Sequence, residues 1–450
     1  MSRVHQLKIS VSGIRGVVGE FLTPNLACAF AQAFGTYVGP GPVVIGRDTR
    51  SSGEMIEHAV TCGLLAAGCE VVKAGIAPTP TIQVHVAEIH ARGGIAVTAS
   101  HNPPEYNALK LFNREGLFFN HYERSELLDL YHQSQFRQAA NDEIRRVVTD
   151  TASAPQRHIA RVLAHVDVDR IRARGFRVAL DGVNGAGSLM SVHFLREVLG
   201  CELHAISVDP SQPFPREAEP RAEVLGELQA LIRQTGADAA FAQDPDGDRL
   251  AVGDETGRIL DNDDVLALAV DCALRRRKGP VVVNLTTSAV IDDIAARHGC
   301  AVFRAPVGEA NVVERMKAAG AIIGGEGSNG GIIFPVVQYC RDSYMGMAFL
   351  LDRMAETGQT MSELAATLPA YHRRLGKLPF EHGRLGQMMQ ALERTFPGAQ
   401  VDRSDGLKLT LPGGWIHLRA SNTEPILRVA AEARTQEQLE ELYAKASSVA

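Results

Sequence analysis

The sequence predicts an α/β protein of three related α/β domains with mixed sheets, followed by a smaller C-terminal α+β domain. Three observations predict it. One order of strand, helix and glycine-cysteine step recurs three times within the 450 residues. Each recurrence runs into a loop of unusual chemistry. The final segment drops that order and reads as short strands between two helices.

Each copy opens on an apolar strand that breaks into a polar or glycine-rich turn. These are Val43-Val44-Ile45-Gly46-Arg47-Asp48, Arg177-Val178-Ala179-Leu180-Asp181-Gly182 and Val281-Val282-Val283-Asn284-Leu285-Thr286. A helical stretch then leads into a second strand at Gly68-Cys69-Glu70-Val71-Val72, Gly200-Cys201-Glu202-Leu203 and Gly299-Cys300-Ala301-Val302-Phe303. A further helix precedes the third strand, whose loop begins at Ser100, Asp244 and Glu326 respectively. Strands alternating with helices imply βαβ units joined by right-handed crossovers. The loop after each third strand then lies at the carboxyl edge of its sheet, where such sheets bind ligands.

Beyond Leu368-Pro369-Ala370-Tyr371-His372 a helix is expected near 383–396 and short strands around Leu407–Leu411 and Trp415–Leu418. A last helix starts at the N-cap Thr435, with Gln438 three residues on completing a capping box. The four domains are placed at 1–151, 152–255, 256–370 and 371–450.

With 45% hydrophobic and 22% charged residues, the chain can bury ordinary globular cores. A net charge of −6 argues against a broad nucleic-acid surface. The cluster Arg275-Arg276-Arg277-Lys278 reads as a solvated helix end. Seven cysteines without a CxxC pair argue against a zinc site or disulfide framework and fit a reducing compartment. Met1-Ser2-Arg3-Val4-His5-Gln6 lacks the apolar core of a signal peptide, and no apolar run approaches the roughly 20 residues that span a bilayer. A cytoplasmic protein with no membrane or nucleic-acid partner is expected.

The chemistry concentrates in four loops. Thr98-Ala99-Ser100-His101-Asn102-Pro103-Pro104 follows the apolar run Gly93-Gly94-Ile95-Ala96-Val97, so rigid backbone holds Ser100 at a sheet edge. No G-x-S-x-G elbow surrounds it, and His101, its immediate neighbour, is poorly placed to act as its base. A phosphorylatable serine is the better reading than a hydrolase nucleophile or a strand-ending turn. In Asp244-Pro245-Asp246-Gly247-Asp248-Arg249, three alternating carboxylates repel one another and ask for a cation. Glu255 stands twelfth, as in an EF-hand, but Arg249 occupies the sixth position, which demands glycine there; Mg²⁺ completed by a phosphate oxygen fits better than Ca²⁺.

Gly324-Gly325-Glu326-Gly327-Ser328-Asn329-Gly330-Gly331 offers a carboxylate and a hydroxyl suited to vicinal sugar hydroxyls, although glycine-rich loops are common. Arg419-Ala420-Ser421-Asn422-Thr423-Glu424-Pro425, with Arg428 beyond it, reads as a phosphate cradle. Lys110, on the next strand, can return toward Ser100, and Arg15 lies between Gly13 and Gly16. Either is a candidate general acid or base if neighbouring positive charge lowers its pKa.

Together these loops resemble the α-D-phosphohexomutase superfamily of phosphoglucomutases, phosphomannomutases and phosphoglucosamine mutases, over essentially the whole chain. The resemblance also covers Gly46-Arg47-Asp48-Thr49-Arg50. It implies a four-domain, heart-shaped enzyme with a central cleft to which each domain gives one loop. Ser100 would carry the phosphoryl group, and Asp244, Asp246, Asp248 and a phosphoserine oxygen would hold Mg²⁺. Arg15 and Lys110 would assist proton transfer, with His101 and Arg249 beside them. Glu326 and Ser328 would hold sugar hydroxyls. Arg419, Ser421, Asn422, Thr423 and Arg428 would hold the non-reacting phosphate.

The implied reaction interconverts hexose 6-phosphate and 1-phosphate through a 1,6-bisphosphate, which also serves as activator. The implied partner is a small phosphosugar, and the implied assembly a monomer or homodimer. Many phosphomannomutases carry a Gly-Glu-Met-Ser-Gly-His sugar loop, a lysine at the position of Asn284 and a tyrosine at that of Ser12. This chain, with Ile332-Ile333-Phe334-Pro335 after its loop, looks most like archaeal-type phosphoglucosamine mutases. Glucosamine phosphate is the expected substrate, with mannose and glucose phosphates as the alternative. A metal-dependent phosphomonoesterase and a catalytically silent sugar-phosphate binder are the rivals from other classes; both leave a loop or a residue without a task.

Overall fold

The computed structural model describes residues 8–10, 13–379, 383–420 and 426–448. Two compact units divide the chain: residues 1–262 with 330–365, and residues 263–329 with 366–450.

The first unit holds two sheets. In the seven-stranded one, the order is Lys8–Ser10, Gly13–Val17, Tyr106–Phe112, Gly93–Val97, Pro42–Arg47, Glu70–Ile76 and Val147–Thr149. Pro42–Arg47 runs parallel to Glu70–Ile76 and Gly93–Val97, while Tyr106–Phe112 returns antiparallel to Gly93–Val97. Every residue of Gly93–Val97 is buried, which explains its unbroken apolar character. The helix Pro24–Val38 begins where sequence chemistry asks it to. Thr23 accepts from Leu26 N at 3.3 Å and Pro24 takes the first helical position.

The second sheet of this unit runs Leu250–Asp254, Ala239–Gln243, Arg177–Asp181, Glu202–Ile206. It repeats the arrangement of the first: second strand beside first, first beside third, and an antiparallel fourth on the third. The helix Ser343–Thr357 is apolar and buried over most of its length, and Asp342 caps it by accepting from Tyr344 N and Met345 N.

In the second unit, Val281–Asn284 lies between the parallel strands Val302–Ala305 and Ile323–Glu326, a third use of the same strand order. The three glycine-cysteine steps are one structural device. Gly68, Gly200 and Gly299 have φ of 80°, 70° and 69°, where an L side chain is strained, so each lets the chain turn from helix into second strand.

The rest of this unit is a five-stranded antiparallel sheet in the order His372–Pro379, Ile426–Ala433, Gly414–Ala420, Leu407–Leu411, Gln400–Asp402. One face packs Leu407, Leu409, Ile416, Leu418, Val429 and Ala431 against Met388, Leu392, Leu439 and Leu442 of the helices Leu385–Thr395 and Gln436–Ser447.

Three expectations need correction. Thr435 accepts from Gln438 N, but the Gln438 side chain donates to Pro412 O, so the capping box is only half formed. The strand Ile426–Ala433 was not expected; Ala430, Ala431 and Ala433 are better helix formers than strand formers, and burial between two strands overrides propensity. Gly16 has no left-handed backbone; only Gly13 does, at φ 112°, and a Cβ there would meet Leu109 O at 1.9 Å.

Candidate functional site

The first unit gathers most of the candidate residues into one buried cluster. Ser100 follows the strand Gly93–Val97 and takes φ 50°, a left-handed conformation uncommon outside glycine. It is only 3% exposed. Its Oγ donates to Asp244 Oδ2 at 2.7 Å, and its N–H donates to Thr98 Oγ1 at 3.0 Å. Thr98 donates in turn to Asp48 Oδ2.

Arg50 holds the loop from behind. Its guanidinium pairs with Asp48 and donates to the carbonyls of Ser100, Asn102, Pro103 and Tyr106. Backbone strain at Ser100 therefore persists because a buried charged fork fixes the carbonyls around it.

Asp244, Asp246 and Asp248 are all buried, and one carboxylate oxygen from each lies within 4.8 Å of the others. Burial, then the facing Asp246 and Asp248, pushes the Asp244 carboxyl well above its usual range. Burial also opposes ionisation of Asp246, but Lys110 and hydrogen bonds from Asp244 and Thr79 outweigh it and carry that carboxyl far below. Asp246 Oδ1 and Asp248 Oδ1 are buried and have no hydrogen-bond partner among the described residues. Three buried carboxylates whose oxygens converge, two of them with an oxygen that makes no hydrogen bond among the described residues, fit a divalent cation of the magnesium type. Glu255, the EF-hand counterpart, faces elsewhere and accepts from Ser362.

Cations surround the trio. Lys110 Nζ lies 2.5 Å from Asp246 Oδ2 and 3.2 Å from Asp248 Oδ2. Burial lowers the Lys110 pKa, but Asp246 and Asp248 more than restore it, so the amine sits above its ordinary value. Arg15, on Gly13–Val17, donates to Asn102 Oδ1. Burial and the nearby Arg249, Arg50 and Arg341 lower its pKa against the pull of Asp246. The two candidate proton carriers thus shift in opposite directions, Arg15 downward and Lys110 upward. Arg249 pairs with Glu219 and donates through Nη2 to His101 Nδ1 at 2.9 Å. Burial, then Arg249, takes His101 down to about 2, so it is neutral and accepts that proton.

Several contributors were not legible as site residues. Thr79 opens the helix Thr79–Glu88, donates its N–H to Asp246 O at 2.8 Å and its hydroxyl to Asp246 Oδ2. Ser343 donates to Gly247 O, and Arg341 donates to Asp248 Oδ2, both at 2.7 Å. Only the folded chain brings these residues to the metal loop. Their one local signal is position, at helix starts next to buried strands.

The second unit holds the other candidates. Glu326 is 2% exposed and ends its strand; Oε1 accepts from Asn284 Nδ2 at 3.0 Å and from Gly308 N at 2.8 Å. Ser328, two residues on, is half-buried in a short 3₁₀ turn. Arg419 pairs with Asp405 at 2.8 Å. Arg419, Arg428 and Lys377 lie directly opposite one another across three neighbouring strands. Like charges in such register destabilise a sheet, and Asp405 offsets that of Arg419. Ser421, Asn422 and Thr423 lie outside the described residues.

Comparison with known proteins agrees along the chain. Residues 6–138, 156–257 and 261–371 match the families described as phosphoglucomutase/phosphomannomutase, alpha/beta/alpha domains I, II and III. Residues 383–447 match the C-terminal domain of the same set. A phosphoglucomutase/phosphomannomutase of Thermococcus kodakarensis is 38% identical over 437 residues, 95% of each chain. A probable phosphoglucosamine mutase of Methanopyrus kandleri is 37% identical, covering 96% of this chain and 95% of its own. A crystal structure of a Burkholderia thailandensis phosphoglucomutase/phosphomannomutase family protein matches with a TM-score of 0.84 at 26% identity, over 98% of this chain and 97% of the other. Identity of this order sustained from end to end leaves one assignment: the chain belongs to the phosphoglucomutase/phosphomannomutase family, the α-D-phosphohexomutases, enzymes that move a phosphoryl group between positions of a hexose.

Proposed function

We propose that the protein interconverts glucosamine 6-phosphate and glucosamine 1-phosphate through a phosphorylated Ser100. The observation that carries the reading is the buried hydrogen bond from Ser100 Oγ to Asp244, inside a trio of carboxylates ringed by Lys110, Arg249 and Arg341. Asp244, Asp246 and Asp248 would hold Mg²⁺, which when bound neutralises charge on the transferring phosphoryl group.

The hydroxyl of a hexose 6-phosphate attacks the phosphorus on Ser100. The new P–O bond to sugar forms as the bond to Ser100 Oγ breaks; the sugar hydroxyl gives up its proton and Ser100 Oγ takes one back as it leaves, a transfer that Arg15 and Lys110 would assist. The resulting 1,6-bisphosphate, which also primes unphosphorylated enzyme as activator, turns over and returns its other phosphate to Ser100. Lys110 and Arg249 keep opposite charge beside the group, and His101 holds Arg249. Glu326 and Ser328 would bind sugar hydroxyls. Arg419 and Arg428, with Ser421, Asn422 and Thr423, would grip the phosphate that does not react.

The four domains are proposed at 1–151, 152–255, 256–370 and 371–450, in a cytoplasmic monomer or homodimer. Among the described residues no helix is long and apolar enough to cross a membrane. The sugar loop without histidine and the Methanopyrus relative support glucosamine; the Thermococcus relative supports mannose or glucose phosphates as the second reading.

The test is kcat/KM for glucosamine, mannose, glucose and N-acetylglucosamine phosphates, with Mg²⁺ and a trace of hexose 1,6-bisphosphate. Preference for glucosamine phosphate supports the proposal. Preference for mannose or glucose phosphate keeps the mechanism and replaces the substrate. No turnover of any of them by Ser100-phosphorylated enzyme overturns both.

A further inference from the structure

Arg341 stands outside every loop singled out in the sequence, yet both its backbone and its side chain are pinned. Its backbone bridges antiparallel to Ile333. The next residue, Asp342, donates its N–H to Ile332 O at 2.8 Å and caps the helix Ser343–Thr357. The Arg341 stem lies over Gly331, where a Cβ would come within 2.3 Å of Cδ and 2.8 Å of Cγ. Glycine at 331 therefore leaves room for that stem. The guanidinium, in a residue only 8% exposed, donates through Nη2 to Asp248 Oδ2 at 2.7 Å.

Lys110 reaches the same oxygen at 3.2 Å and Asp246 Oδ2 at 2.5 Å. One oxygen of each of these carboxylates is thus held by protein cations. The other oxygen of each, Oδ1, is buried without a hydrogen-bond partner among the described residues, with Arg249 Nε 3.9 Å from that of Asp248. Lys110 is a single ammonium shared between two aspartates, whereas Arg341 donates from Nη2 to Asp248 Oδ2.

We propose that Arg341 is a positioning residue that confines Asp248 to ligation through one oxygen and thereby biases the carboxylate trio toward Mg²⁺ over Ca²⁺. Mg²⁺ demands near-octahedral geometry with one oxygen per carboxylate, whereas Ca²⁺ takes more oxygens and readily accepts bidentate carboxylates. Asp248 can offer its second oxygen only by leaving a buried, charge-assisted hydrogen bond. The inference rests on the reading of the trio as a divalent-cation site.

The test uses the full-length protein with Ser100 phosphorylated, since a phosphoserine oxygen is expected to complete the site, and Mn²⁺ as probe. Free Mn²⁺ is followed by electron paramagnetic resonance while Mg²⁺ or Ca²⁺ displaces it. The readout is the ratio of the Ca²⁺ to the Mg²⁺ dissociation constant. Removing a positive charge strengthens two equally charged ions alike, so charge alone leaves that ratio where it is. Arg341→Gln is expected to lower the ratio about tenfold as Ca²⁺ gains the second oxygen. Gly331→Ala, which displaces the stem and keeps the charge, should move it in the same direction. Arg341→Lys keeps the charge without the fork and serves if either of the others fails to fold. A ratio within about twofold of wild type in folded variants overturns the role of Arg341. Failure of the wild-type protein to retain Mn²⁺ overturns the cation site itself.

Discussion

Replacing Arg50 with lysine asks how much of the serine loop's geometry depends on one buried guanidinium. All five of its N–H donors are placed: Nε on Asp48 Oδ2 at 3.0 Å, Nη1 on Pro103 O and Tyr106 O at 2.6 and 3.1 Å, and Nη2 on Ser100 O and Asn102 O at 2.6 and 2.7 Å. The residue is 4% exposed, so water does not easily replace a lost donor. Lysine brings three donors on one nitrogen, so at least two of the five hydrogen bonds are lost, although Asp48 Oδ2 keeps Thr98 and Pro103 O keeps Tyr106 N. At about 1–3 kcal/mol for each lost bond to a charged group, the loss is about 2–6 kcal/mol, with the lower part favoured because the loop can relax. The same relaxation moves Ser100, and a misplacement of about 1 Å costs on the order of a hundredfold in rate.

Urea denaturation followed by circular dichroism reads the first quantity. The rate of Ser100 phosphorylation by hexose 1,6-bisphosphate, followed by intact mass, reads the second. Arg47→Lys is the control. Arg47 makes two side-chain hydrogen bonds, to Glu57 and to Asp48 O, against five for Arg50, and lysine can still reach Glu57, so Arg47→Lys should cost less than Arg50→Lys. If Arg50→Lys unfolds within 1 kcal/mol of wild type, by the same scale, and phosphorylates at the wild-type rate, the loop is held by something else.

Ser100→Ala and Ser100→Gly should both lose nearly all mutase activity. The glycine variant should be the more stable of the two by about 1 kcal/mol, since alanine keeps the left-handed strain at φ 50°; equal stability would mean that the strain is not felt. Arg419→Ala should raise KM severalfold and alike for every phosphosugar, because its proposed partner is phosphate, and a loss confined to one sugar would contradict that role.

Lys408 supplies a pH test. It is buried with Nζ donating to Leu285 O at 2.6 Å, and burial, then Arg304, holds its pKa well below the ordinary value. Between the folded pKa and the unfolded value of about 10.4, the unfolded chain binds the extra proton. Stability therefore rises with pH in that window, by at most about 1.4 kcal/mol per pH unit for one proton. Lys408→Met should remove this rise in urea melts between neutral and alkaline pH. Parallel pH profiles for variant and wild type would refute it.

What the sequence showed of the site is what contiguous chemistry can show. Ser100 was legible because an unbroken apolar strand runs into it. Asp244, Asp246 and Asp248 were legible because three like charges at alternate positions need an explanation. Lys110 was legible because it falls on the strand that must return beside Ser100. Arg341 and Thr79 were not, since they reach the metal loop from 93 and 167 residues away, at Asp248 and Asp246, and nothing near them in the chain announces that contact. The threefold strand layout was readable from the glycine-cysteine steps, whose left-handed backbones explain the glycine. The C-terminal sheet was half readable. Leu407–Leu411 and its partner alternate cleanly, but Ile426–Ala433 is a strand only because the sheet buries it on both edges.

The charges of the cluster would make a phosphoserine at Ser100 and a divalent cation at the aspartate trio favour each other. Asp244, Asp246, Asp248 and Glu219 face Lys110, Arg15, Arg249 and Arg341, four acids against four bases, nearly all of them buried. With a cation there to hold the Asp244 carboxyl ionised, and so with all four acids and four bases charged, a divalent cation alone would leave two excess positive charges in a low-dielectric pocket, and a phosphoryl dianion alone two negative ones. Each is costly to bury unpaired. Bound together they leave the balance unchanged, so each favours the other's binding by the same free energy. In the proposed cycle a hexose bisphosphate that turns over between two transfers would leave Ser100 without phosphate for part of each cycle. The phosphate it presents to Ser100 would then restore the balance and tie the intermediate to the site until the second transfer is complete.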